Sequence, residues 1–245
     1  GFTTNDIRKF RLEYLAEDFV IKLGDIYEFW GRGLVLNQFD DQVTNFDNGT
    51  RGLYIEYNKY PFSFSHLNGN SNIWMLGGGA RIPENNNIHN MSANRLNYDL
   101  NAISLGVTQL RTNENHSLTS GPPVDINHHI RGTYLSWAGN FADIFLEYAD
   151  KISTRKISNF GGIPNDTLKR GHGYYQNVNI YFGNWGLSTE YKRYSFDRLY
   201  GDITANEYGN QIEYQQMPTL AKEHNSTLLG SCLLYTSPSP RDLAQ

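Results

Sequence analysis

The stretch Tyr174-Tyr-Gln-Asn-Val-Asn-Ile-Tyr-Phe-Gly-Asn-Trp-Gly-Leu-Ser-Thr-Glu-Tyr-Lys-Arg193 reads as a strand, a Gly-Asn turn and a returning strand. Successive side chains on a strand point to opposite faces. Val178, Ile180 and Phe182 therefore share one face, and Asn177, Asn179 and Tyr181 the other. On the return, Trp185, Leu187 and Tyr191 alternate with Ser188, Glu190 and Lys192. A second stretch, Arg131-Gly-Thr-Tyr-Leu-Ser-Trp-Ala-Gly-Asn-Phe-Ala-Asp-Ile-Phe-Leu-Glu-Tyr-Ala-Asp150, has the same grammar. There Ala142, Ile144, Leu146 and Tyr148 alternate with Asp143, Phe145 and Glu147.

A half-buried strand of a soluble sheet shows the same alternation. Three features favour a transmembrane barrel. The strands reach about 9–11 residues, enough to cross a bilayer when tilted, where soluble strands average about 5–6. The connections alternate in length: tight turns at Ala138-Gly139-Asn140 and Gly183-Asn184, long polar segments at 111–128, 153–170 and 195–208, as in outer-membrane barrels. Tyr (17), Phe (13) and Trp (4) make aromatics 14% of the chain, and Trp137, Phe141, Phe182 and Trp185 flank the two tight turns, where an interface girdle would lie.

Working outward, residues 6–15 read as a strand, 16–18 as a turn and 19–27 as a strand running on through 30–36, with glycines marking a bend. Residues 37–50 read as a polar loop, and Leu53, Ile55 and Tyr57 alternate in the next strand. Residues 62–67 are extended, 68–72 an interruption and 73–82 extended again, with Gly77-Gly78-Gly79 as a bend. Residues 83–95 read as an Asn-rich loop, 96–110 as one extended run and 211–216 as a final strand. The total is roughly nine to twelve strands, with no convincing helix.

At Leu23-Gly-Asp-Ile-Tyr-Glu-Phe-Trp-Gly-Arg-Gly-Leu-Val-Leu36, followed by Asp47-Asn-Gly-Thr-Arg-Gly52, the chain resembles a family of uncharacterised outer-membrane β-barrel proteins of Bacteroidetes-like bacteria. The positions that carry the likeness are Leu23, Gly24, Asp25, Tyr27, Gly31, Gly33, Asp47 and Asn48, with Trp30 where Phe is commoner. The resemblance implies an architecture and a location, not a substrate.

Hydrophobic residues make up 39% of the chain and its net charge is −4. No run approaches the roughly 18 apolar residues of a membrane helix, and no basic cluster argues for nucleic acid. The segment Cys232-Leu-Leu-Tyr-Thr-Ser-Pro-Ser-Pro-Arg-Asp242 resembles a translated sequencing adapter. The expected division is therefore a barrel fragment at 1–231 and an adapter-derived tail at 232–245. Without Cys232 the remaining chain has no thiol.

Catalytic and metal chemistry find little support. Asp25 and Glu28 stand three apart on a strand and face opposite sides. The acidic residues Asp40, Asp41 and Asp47 lack the spacing of a calcium loop, and adjacent His128 and His129 project oppositely. Gly77–Gly79 lacks the Lys-Ser/Thr of a phosphate loop. Asn-x-Ser/Thr triplets such as Asn48-Gly-Thr50 are expected by chance in Asn-rich loops. No nucleophile elbow occurs.

The sequence thus predicts an all-β, antiparallel, up-and-down transmembrane barrel, incomplete. Its expected role is a porin-like passage for small solutes in the bacterial outer membrane, with lipid as its surroundings. It carries no expected metal, cofactor, nucleic-acid partner or enzymatic activity. Asp143, Glu147, Glu190 and Lys192 are the expected lumen residues. The alternatives are a glycan-binding β-sandwich with exposed aromatics, and a barrel lipid hydrolase drawing on His66, His116 or His172.

Overall fold

The computed structural model describes residues 9–41, 46–74, 86–116, 124–157 and 167–196. Its strands are β1 (Arg11–Leu15), β2 (Phe19–Ile26), β3 (Asp40–Asp41), β4 (Phe46–Asp47), β5 (Thr50–Lys59) and β6 (Phe62–Trp74). They continue as β7 (Asn86–Leu100), β8 (Ile103–His116), β9 (Val124–Ala138), β10 (Ala142–Ile157), β11 (Thr167–Phe182) and β12 (Trp185–Phe196). Ten of them form one antiparallel sheet in the order β1-β2-β5-β6-β7-β8-β9-β10-β11-β12. The remaining pair, β3 and β4, is a two-stranded ribbon inside the β2–β5 connection. Every neighbour in the large sheet is also the neighbour in sequence, apart from that excursion. This is an up-and-down meander, the wall of a transmembrane barrel rather than the two packed sheets of a sandwich. Among the described residues β1 and β12 are not paired with each other, so the sheet is open.

Register sorts the side chains into two faces. Ile144 stands beside Trp137 and Val178, and Leu105 beside Tyr98 and Leu135. This outward face is apolar near the tight turns and carries large exposed side chains, Val107 at 57% and Trp185 at 81% exposed. The inward face carries Glu147 beside Tyr134 and Tyr175, together with the buried Leu67, Ala93, Leu110 and Ile130. An apolar exterior with a partly polar interior inverts the soluble pattern and matches a barrel in lipid.

Several sequence expectations are corrected. Residues 68–72 do not interrupt a strand, because β6 runs unbroken to Trp74. Most of the expected 83–95 loop is strand, since β7 begins at Asn86. The 96–110 run is broken at Asn101-Ala102, where Asn101 takes the left-handed φ of 49° that asparagine tolerates. The long polar segments at 111–128 and 153–170 are shortened at both ends by β8, β9, β10 and β11. In these parts both faces are polar, so alternation vanishes while the backbone ladder continues. The Gly77–Gly79 bend, the 211–216 strand and the 232–245 tail lie outside the described residues.

Candidate functional site

The fold departs most from a plain wall at residues 27–39. The sequence suggests that the strand runs on here; instead the chain turns off the sheet and folds inward as a tongue. Its two limbs pair with each other: Gln38 N–H donates to Glu28 O at 3.0 Å, Trp30 N–H to Leu36 O at 3.0 Å and Gly33 N–H to Trp30 O at 2.9 Å. Gly31 and Gly33 make the tip possible, with φ of +62° and +87°, values that cost side-chain-bearing residues energy. Trp30, Val35 and Leu36 are 0% exposed. They pack with Tyr54, Leu67, Met91, Leu110, Ile130 and Tyr175 of the inner face. At roughly 25 cal/mol per Å2, this apolar contact is the main force holding the tongue in.

A specific lock adds to it. Glu147 of β10, 2% exposed, accepts the Arg32 N–H at 2.5 Å and a second backbone N–H from Leu34. Backbone N–H groups converging from a turn form a cradle for a carboxyl; here Arg32 and Leu34, on either side of Gly33, supply the N–H groups and the barrel wall supplies the carboxyl. A Cβ on Gly31 would lie 2.8 Å from both Glu147 carboxylate oxygens. The Arg32 guanidinium covers the Phe145 ring at 5.2 Å, and Arg95 covers Trp30 at 5.3 Å.

The base of the tongue is tied by Asn48. Its amide donates to Asn37 O at 2.7 Å and its oxygen accepts from Phe39 N–H at 2.7 Å. Gln38 donates to Asn48 O and to Thr50 Oγ1, at 3.0 and 2.6 Å. Lys22 pairs with Glu28 at 2.7 Å. Lys9 binds Asp40 at 2.6 Å and Asp47 at 2.9 Å, and Tyr27 donates to Asp47 Oδ1 at 3.0 Å. Burial pushes the Asp47 carboxyl up, but the Lys9 ammonium and the Gly49 N–H outweigh it and hold the group below the usual carboxylate range. Burial pushes the Tyr27 hydroxyl up to about 12.

Several of the motif residues read together in the sequence are thus brought together at the tongue. Leu23, Gly24 and Asp25 end β2, Tyr27, Gly31 and Gly33 shape the tongue, and Asp47 and Asn48 fasten it. Asp25 turns outward to Arg51 at 3.1 Å, away from Glu28. Of the four expected lumen residues, all share the tongue's face by register. Glu147 is engaged by the tongue, Glu190 and Lys192 pair with each other, and Asp143 accepts from Tyr181 at 2.5 Å. Trp137, Phe141, Phe182 and Trp185 all lie at the tight-turn end, with Trp137 and Phe141 edge to face at 5.8 Å.

His128 and His129 do face opposite ways. His128 is buried inward with Nδ1 2.8 Å from Ser153 Oγ, whereas His129 faces outward beside Gln109. The His128–Ser153 contact and the Glu147 lock escape sequence reading, because each joins residues whose neighbourhood only strand register creates. His66 faces outward to Asn94 at 2.8 Å. Among the described residues no group of His, Cys, Asp and Glu is arranged to hold a metal ion, and no helix is long and apolar enough to cross a membrane.

No curated protein matches the chain. Among solved structures it is similar to OmpTdeltaL8, a loop L8 deletion mutant of OmpT, an outer membrane protein of Vibrio cholerae. The TM-score is 0.52 at 13% identity, over 76% of this chain and 57% of that one. The chain thus spans little more than half of that protein's length, and the likeness is one of fold: an outer-membrane β-barrel. It overturns the expectation that the chain is not an enzyme, because such a barrel is a scaffold for varied activities and a shared fold leaves catalysis open. A family model matches residues 1–238, and the chain belongs to that family, the family of unknown function DUF6029.

Proposed function

We propose that the chain forms an outer-membrane barrel that passes small polar solutes passively, through a bore narrowed by the 27–39 tongue. The observation that carries this reading is the tongue itself, an apolar constriction set between two polar zones of the inner face. On the tight-turn side the inner face carries Glu56, Arg95, Asn97, Asn179, Glu190 and Lys192; beyond the tongue it carries Ser71, His89, Thr112, His128 and Ser153, all buried. Mixed charge lining a narrow path selects among solutes. The exposed apolar outward face and its flanking aromatics support placement in the outer membrane.

Single-channel recording in planar bilayers tests the reading. Glu147→Ala leaves the Arg32 and Leu34 N–H groups unpaired in a buried place, a cost of about 1–3 kcal/mol. The tongue is then expected to be held less firmly, by its apolar contacts and its base alone, and the mean conductance to rise above wild type. Wild type and variant both failing to conduct would sink the channel reading.

A further inference from the structure

The outward face changes character abruptly beyond its apolar band. On β8, Ile103, Leu105 and Val107 are followed by Gln109, Arg111 and Asn113; on β9, Thr133 is followed by Arg131, His129 and Asn127. Register sets Gln109 beside Arg131, Arg111 beside His129 and Asn113 beside Asn127. Arg131 Nε lies 3.3 Å from His129 Nε2, and the Gln109 amide is 2.6 Å from the same nitrogen. Arg111 reaches the Gln109 amide at 3.2 Å. Two guanidinium groups and an imidazole are thus gathered around one amide. Asp150 stands across from Arg131 and Asp125 lies further along β9, so Arg111 and Arg131 outnumber the one carboxylate that stands directly against the cluster. A recess of about 620 Å3 adjoins it, with Asn70, Asn90, Asn113 and Asn127 among its lining.

Depth decides what this cluster meets. A tilted strand crosses a bilayer in about 9–11 residues; counted from Ile103 beside the 101–102 turn, Arg111 and Asn113 close that span on β8. The cluster therefore lies at the level of lipid headgroups rather than in open water. Guanidinium groups recognise phosphate through paired, charge-assisted hydrogen bonds, and amides both donate to and accept from sugar hydroxyls. We propose that Arg111, His129 and Arg131, with the adjoining asparagine-lined recess, bind the phosphorylated sugar headgroup of an outer-leaflet glycolipid. The proposal rests on the membrane placement of the outward face and not on solute passage.

Native mass spectrometry of the folded protein in detergent, titrated with a bisphosphorylated glucosamine-disaccharide lipid, its dephosphorylated counterpart or inorganic phosphate, tests it. Wild type should retain the bisphosphorylated lipid and bind the dephosphorylated form about tenfold more weakly, as expected for lost charge-assisted contacts. Arg111→Gln with Arg131→Gln should weaken binding by a similar factor. Arg51→Gln, which removes an outward arginine already paired with Asp25, should bind as wild type does. The proposal is overturned if the dephosphorylated lipid binds equally, if the double variant binds as wild type does, or if inorganic phosphate displaces the lipid at equal concentration. The dephosphorylated arm uses wild-type protein alone, so it decides even if the double variant fails to fold. Conductance is read separately, so loss of lipid binding and loss of the channel reading are distinct results.

Discussion

Gly31 shows how narrowly the tongue is specified. Its φ of +62° suits glycine, and a Cβ there would press on the Glu147 carboxylate. Gly31→Ala is expected to cost about 1–2 kcal/mol from backbone conformation, plus the displacement of Glu147. Gly186→Ala in β12, whose Cβ would meet nothing within 4 Å, should leave stability unchanged. Thermal unfolding followed by circular dichroism distinguishes them, and equal losses would refute the lock. Asp47 gives a second test at this scale. Its folded pKa lies below the unfolded value, so its stabilisation is fully present above the ordinary aspartate range and is lost as pH falls through the depressed folded value. The unfolding temperature of wild type should therefore drop more between neutral and acidic pH than that of Asp47→Asn; parallel curves would show that the Lys9–Asp47 contact does not fasten the tongue.

Strands carry their own prediction through parity. Ile180 lies on the outward face beside Ala142 and Leu187, and Asn179 lies inward beside Asp143 and Ser188. Arginine on the lipid side costs about 2–4 kcal/mol at mid-membrane and less toward the interface where Phe182 lies, whereas on the lumen side it is tolerated. Ile180→Arg should reduce recovery of heat-modifiable protein from the outer-membrane fraction and Asn179→Arg should not. Equal behaviour would contradict the assigned faces. The same parity explains what the sequence makes legible at this scale. Hairpins β9–β10 and β11–β12 were readable because apolar and polar residues alternate near their turns. Strand β7 was not, because Asn90, Ser92 and Asn94 are outward yet polar, so Asn87-Ile-His-Asn-Met-Ser-Ala-Asn94 looks like loop while its backbone pairs on both sides.

For the molecule as a whole, the barrel wall was legible because its evidence is local: strand length, turn chemistry and aromatic placement each lie within a short stretch of chain. The inner constriction was not. The Trp30-Gly-Arg-Gly-Leu-Val-Leu36 run suggests a bent strand, and nothing within it names Glu147 as partner. The outward cationic cluster stayed hidden for a related reason, since Arg111 and His129 become neighbours only through the β8–β9 register.

The contact between Arg32 and Glu147 spans 115 residues of chain. Eight strands of the large sheet, β2 and β5 through β11, connect the two in the finished wall or flank them, and β10 must be in register before its carboxylate is presented. Entropy of loop closure makes so distant a contact late to form. Seating of the tongue is then a clock for assembly: it happens after β10 has joined, so an interior that is still open marks a barrel that has not finished folding.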